Sequence, residues 1–191
     1  EVVEMETRLT GGDVARRIAG TGSLGLARYV ILIEGKGSPD GNYLLDLKQA
    51  KPSALAPALK RLGLQQPVWT DEAQRVSTAQ RLLQAVDHAF LFPVRFQNQS
   101  FVLRGLQPSE DRVTLSDWGK KLDRLMETVS IMGRVLAWDQ LRAAGRLGSA
   151  SADALMALAQ ADDAMTPLLE LAAQMDRVTQ AQWEAFLATD L

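Results

Sequence analysis

The chain has 191 residues, 47% of them hydrophobic, and a net charge of −2 from 21 basic and 23 acidic residues; this suits a globular protein with a sizeable core and excludes collagenous and disordered classes. No apolar run reaches the roughly 18–20 residues that span a bilayer, and the balanced charge gives no electrostatic footprint for nucleic acid. The absence of cysteine and a single histidine, His88, exclude disulfides, thiolate nucleophiles and His-cluster metal sites, leaving chemistry carried by lysine, carboxylates and backbone amides.

In chain order, Asp13-Val-Ala-Arg-Arg-Ile-Ala19 runs into the glycine segment Gly20-Thr21-Gly22-Ser23-Leu24-Gly25. The β-branched run Tyr29–Ile33 predicts a strand, and Gly35–Asn42 has the chemistry of a turn. Tyr43–Ala50 predicts a second strand, with Leu45 and Leu47 on one face and Leu44, Asp46 and Lys48 on the other. Pro52 and Pro57 bracket a short helical turn. Thr70-Asp71 then caps a helix running to about Val86, with His88 as a C-terminal residue facing the helix dipole. Phe90–Phe96 and Ser100–Leu106 read as a hairpin around Gln97-Asn98-Gln99, and Pro93 marks an edge or a bulge.

Beyond about Gln107 the composition turns to Ala, Leu, Met and Gln. From Ala150 onward Arg177 is the one basic residue, against seven acidic ones. Leu122, Leu125, Met126, Val129, Met132, Val135 and Leu136 form an apolar stripe at helical spacing. After Thr166-Pro167, a cap and first-turn signal, Leu168, Leu171, Met175, Val178 and Phe186 form another. Both stripes read as core. The prediction is an α+β chain, with strands and one helix over residues 1–108 and a helical region over 109–191.

Gly20-x-Gly22-x-x-Gly25 has two physical uses. Between a strand and a helix, such glycines bring a helix N-terminus to a dinucleotide pyrophosphate. In a hairpin between antiparallel strands, their N–H groups cover nucleotide phosphates, as in kinases. A turn with no ligand is the third reading. The strand-like segment after Gly25 favours the hairpin, although Asp46 lies where a ribose-binding acid would be wanted. A kinase-type loop further needs a lysine on the next strand and a glutamate on the following helix. Lys48 and Glu72 fall in that order. Glu72 shares a helical stripe with Val76, Ala79 and Leu83, where a carboxylate calls for a buried cation. Taken singly, Lys48 also reads as an exposed strand lysine and Glu72 as an ordinary first-turn acid.

The glycine segment, Tyr43-Leu-Leu-Asp-Leu-Lys-Gln-Ala50, Gln74-Arg-Val76 with Gln80-Arg81, and Val102-Leu-Arg-Gly-Leu-Gln-Pro108 together resemble an uncharacterised bacterial family, domain of unknown function 2252. That family is grouped with protein-kinase-like phosphotransferases, and the resemblance spans about Asp13 to Ala150. It implies a sheet like a kinase small lobe and ATP with Mg²⁺ as ligands. It also implies a nucleotide site made of Gly20, Thr21, Gly22, Ser23, Gly25, Lys48 and Glu72, with Arg104 on the strand end bordering the base. The family's catalytic-loop-like Gly-Asp-x-His and Asp-Phe-Asp segments precede the glycine loop and do not occur here. With Glu1 rather than Met at the start, the chain reads as the C-terminal portion of a longer cytoplasmic protein whose missing part supplies the catalytic Asp and metal site. Gln49 and Gly105 stand where the family carries Glu, which removes carboxylates near the site. The rival expectation is a non-catalytic interaction or scaffold domain, with a vestigial kinase-like core and an acidic helical tail that binds a partner. A dinucleotide-binding module is the third.

Overall fold

β-branched and aromatic residues, which fit a pleated half-buried surface, build the strands of the first half. The structure, a computed structural model, describes residues 3–4, 12–20, 23–37, 40–107, 113, 115 and 119–189. A two-residue strand, Val3–Glu4 (β1), is followed by Val14–Arg16 (β2), Arg28–Ile33 (β3) and Tyr43–Gln49 (β4), the last three pairing as an antiparallel meander. The β3–β4 turn needs glycine: a Cβ on Gly35 would lie 1.9 Å from the Gly41 carbonyl oxygen. Asn42 Oδ1 closes the turn by accepting from the Gly35 N–H at 3.2 Å.

Two helices follow, Ala56–Arg61 (α1), with Pro57 in its first turn, and Glu72–Leu83 (α2). Asp71 caps α2 as expected, its side chain accepting from the Gln74 N–H at 2.8 Å. Asp71→Ala is expected to lower stability by about 1 kcal/mol, measured as a shift in the urea midpoint. The helix stops at Leu83, short of Val86, because Gln84 takes an extended backbone. His88 therefore lies beyond the helix end and not against its dipole; its Nδ1 is 2.9 Å from the Ala89 carbonyl oxygen.

Phe92–Phe96 (β5) and Gln99–Gly105 (β6) form the expected hairpin. Its turn residues Gln97 and Asn98 have φ of 47° and 62°, the geometry that matches the right-handed twist of paired strands. The first strand starts at Phe92 instead of Phe90, since Phe90 itself adopts φ 60°. The sheet order is β1-β5-β6-β4-β3-β2, antiparallel throughout except for the parallel β1–β5 pair. The fold class is α+β.

Ile31, Leu45, Leu47, Val94 and Phe101 are buried on one face of the sheet. On the other, Ala73 of α2 packs against Leu91 and Val102, flanked by Ala50 and Val76. This second face carries the candidate site.

Two compact units divide the chain, Glu1–Ala143 and Ala144–Leu191. Leu122–Ala143 (α3) belongs to the first and contacts α2. Its Arg142 donates to the Leu83 carbonyl at the end of α2 (3.3 Å) and pairs with Asp139 (2.8 Å). The second unit holds Ala152–Gln160 (α4), capped by Ser151, and Thr166–Leu187 (α5). Both long helices form where expected, but neither stripe is core. No residue of α3 or α5 is buried. Helical periodicity places apolar side chains on one face of a helix, while burial requires a second surface against it.

Candidate functional site

Strand alternation places Asp46 and Lys48 of β4 on the α2 side of the sheet, and the pairing register supplies their neighbours. Lys48 stands between Arg28 on β3 and Val102 on β6; Asp46 stands between Val30 and Arg104. Arg28 reaches diagonally to Asp46 and grips it bidentately, with Nε 2.5 Å from Oδ1 and Nη2 2.7 Å from Oδ2. Arg104 Nε lies 3.5 Å from Oδ2 and Arg17 Nη1 lies 3.6 Å from Oδ1. The carboxylate itself is only 1% exposed. Burial pushes the Asp46 pKa up, but the Arg28 hydrogen bonds and the charges of Arg28, Arg104 and Arg17 outweigh it and hold the group below its ordinary range.

Arg28 has a second task. Its Nη1 donates to the Ala19 carbonyl at 3.2 Å, and its own carbonyl accepts from the Arg17 N–H at 2.8 Å. The start of the glycine segment is thereby fastened to the sheet. Gly20 and Gly25 both adopt left-handed backbone, with φ of 78° and 82°, which glycine adopts without a Cβ penalty. Ser23 donates its N–H to the Gly20 carbonyl and Leu26 to that of Ser23. After Gly25 the chain enters β3 at Arg28 with no intervening helix. The segment thus connects antiparallel strands, and the strand–loop–helix geometry of a dinucleotide motif is not formed. Thr21 and Gly22 lie outside the described residues.

A cavity of about 270 Å³ opens beside this cluster, lined by Lys48 and Arg104 together with Leu26, Val76, Gln80, Val102 and their neighbours. Among the described residues Lys48 has no carboxylate within ion-pair distance. Burial lowers its pKa below the ordinary lysine range, and Arg28 and Arg104 add to the effect against a weaker opposing pull from Asp46. Three arginines therefore share one buried carboxylate with Lys48 close by, and the cavity beside them favours an anion.

Of the residues expected at the site, Lys48 and Arg104 meet in this cavity, and Leu26 joins them from just beyond the glycine segment. Gly20, Ser23 and Gly25 do not line it. The expected Lys48–Glu72 pair is not formed. Glu72 instead pairs with Arg75, Nε to Oε2 at 2.5 Å, with its side chain 34% exposed. With Asp71 as the cap, Glu72 is the first helical residue, and the face turned to the sheet is that of the buried Ala73 and Ser77. Sequence reasoning missed Arg17, Arg28 and Gln80, and treated Asp46 as a neighbour of Lys48 or a ribose ligand. A buried-face acid flanked by arginines on both paired strands becomes visible only once the register is known. No group of three His, Asp or Glu side chains among the described residues could hold a metal ion, and both Asp46 oxygens are already engaged.

The family model described as "Uncharacterized protein conserved in bacteria (DUF2252)" matches residues 1–189. No curated protein and no solved structure gives a match.

Proposed function

The chain belongs to the DUF2252 family, and we propose that it forms the nucleotide-covering lobe of a protein-kinase-like phosphotransferase, with Lys48 and Arg104 holding ATP-type phosphates. The observation that carries this reading is the pairing of Lys48 and Arg104 in one cavity, the lysine free of any carboxylate among the described residues. The element order adds support: a glycine segment between antiparallel strands, then a lysine strand, a helix and a hairpin, as kinase-type phosphate binding requires. The cavity, at about 270 Å³, lies just under the roughly 300–1,000 Å³ of small-molecule clefts, a size for the phosphate-bearing end of a nucleotide. In this lobe the chain's own residues bind and orient. Arg28 and Asp46 fix the glycine segment and the arginine positions, and Lys48 and Arg104 present charge to the phosphates. The acceptor-orienting acid and the metal of phosphoryl transfer are chemistry that the described residues do not provide.

Titration calorimetry with ATP across pH tests the reading. An anion favours the ammonium form, so binding raises the Lys48 pKa, and affinity falls as pH rises through it. Because burial and the flanking arginines depress that pKa, the fall is expected to begin below the ordinary lysine range. Saturable binding with that alkaline limb is the expected result. Affinity that stays level through the whole lysine range contradicts it.

One observation favours a second reading, an interaction domain: none of the 22 residues of α3 is buried, although the helix carries a continuous apolar stripe. Under that reading ATP gives no heat with the parent chain or with Lys48→Met.

A further inference from the structure

Two side chains that open on the cavity have complementary unmet needs. The Lys48 ammonium carries three donors and has no acceptor among the described residues. Gln80, on α2, has a buried Oε1 with no donor. Both line the same space. Buried polar atoms are nearly always paired, so the buried Gln80 oxygen calls for a donor, and the cavity offers it the Lys48 ammonium. The lysine stem, with its flexible four-carbon chain, can bring the ammonium across. Turned the other way, the amide would set its NH₂ donors toward a cation, which the hydrogen-bond chemistry disfavours.

We propose that Gln80 is the positioning residue of Lys48: its amide oxygen accepts from the ammonium and aims it across the cavity toward Arg104. This deepens the phosphate-binding reading and rests on it for its purpose. A neutral amide orients the lysine without cancelling its charge, so the cavity keeps its excess of positive charge and selects a multiply charged anion such as a polyphosphate. A carboxylate at the same place would orient equally well and neutralise.

The charged groups around Lys48 are cationic or already engaged. Asp46 lies on its own strand and is taken by Arg28 of β3, with Arg104 of β6 close by. Lys51, just past β4, also lines the cavity and adds a further cation. On α2, Glu72 is paired with Arg75, Arg75 also donates to the Lys51 carbonyl, and Arg81 donates to the Leu91 carbonyl. Gln80 is thus the α2 side chain in the cavity with an oxygen to offer.

The test measures the titration midpoint of Lys48 in the full chain without nucleotide, from the pH dependence of its acetylation by acetic anhydride, read by mass spectrometry. Gln80→Glu is expected to raise the midpoint by about 1–3 pH units, as an opposite charge at close range does. Gln80→Met, similar in length but without the acceptor, is expected to lower it. Circular dichroism identifies folded variants, and Gln80→Leu serves as a second apolar replacement if the Met variant does not fold. A midpoint in the folded apolar variant equal to or above that of the parent chain overturns the proposal, since replacing a merely space-filling Gln80 withdraws no acceptor from Lys48. An unmoved midpoint in the Glu variant overturns it as well, since position 80 would then be out of reach of the ammonium. The readout needs no ligand, so a failed ATP titration and a failed Gln80 assignment are separate results.

Discussion

Replacing Lys48 with Met is expected to weaken ATP binding by about 10- to 150-fold while leaving the fold as stable as the parent or more so. The loss follows from removing one charge-assisted contact, about 1.5–3 kcal/mol, converted at about 1.4 kcal/mol per tenfold. The stability expectation has a different source. Burial, Arg28 and Arg104 disfavour the charged lysine in the folded chain, so at neutral pH folding proceeds against that term. The sign follows from linkage: a lysine pKa lowered on folding makes stability rise with pH through the window between the folded and unfolded values. Met keeps the apolar stem that packs in the cavity and removes the charge. Calorimetry and urea unfolding on the same preparation separate the two effects. Unchanged affinity would remove Lys48 from the site, and a large stability loss would assign it a structural role instead.

Asp46→Asn should act in the opposite way, through the fold first. Breaking a buried ion pair from one side costs about 3–5 kcal/mol, because the partner is left charged and uncompensated. Here three guanidiniums depend on the one carboxylate, and Arg28 also holds the Ala19 carbonyl. The glycine segment is therefore expected to loosen along with the arginine cluster. Asp46 has a depressed pKa, so its contribution is complete above the unfolded carboxylate value of about 3.9. It is lost as pH falls through the lower, folded value. Urea midpoints followed from pH 7 into acid should show the variant weaker at neutral pH and the two chains converging at low pH. A variant as stable as the parent at pH 7 would show that the cluster is not held by its carboxylate.

Much of the first half was legible because its signals are local. The strand alternation of Tyr43–Gln49 placed Asp46 and Lys48 on one face, and the Asp71 cap located the start of α2. The phase of that helix was less legible. Its buried residues are Ala73 and Ser77, side chains with little hydrophobic signal, so the larger Val76 and Leu83 suggested a stripe rotated toward Glu72. The partners of Asp46 were hidden for a different reason. Arg104 faces it only because β6 returns beside β4, a pairing that depends on the hairpin and on the sheet order. The stripes of α3 and α5 were read correctly as apolar faces and incorrectly as core, since periodicity carries no information about what covers a face.

The central claim is that the Lys48–Arg104 cavity recognises phosphate. Calorimetric titration of the chain with ATP and, separately, with adenosine tests it most directly. The account predicts that ATP binds, that added salt weakens it, and that adenosine binds at least about tenfold more weakly, as the loss of one charge-assisted contact implies. Adenosine binding as tightly as ATP, or no ATP binding at low salt, would contradict it.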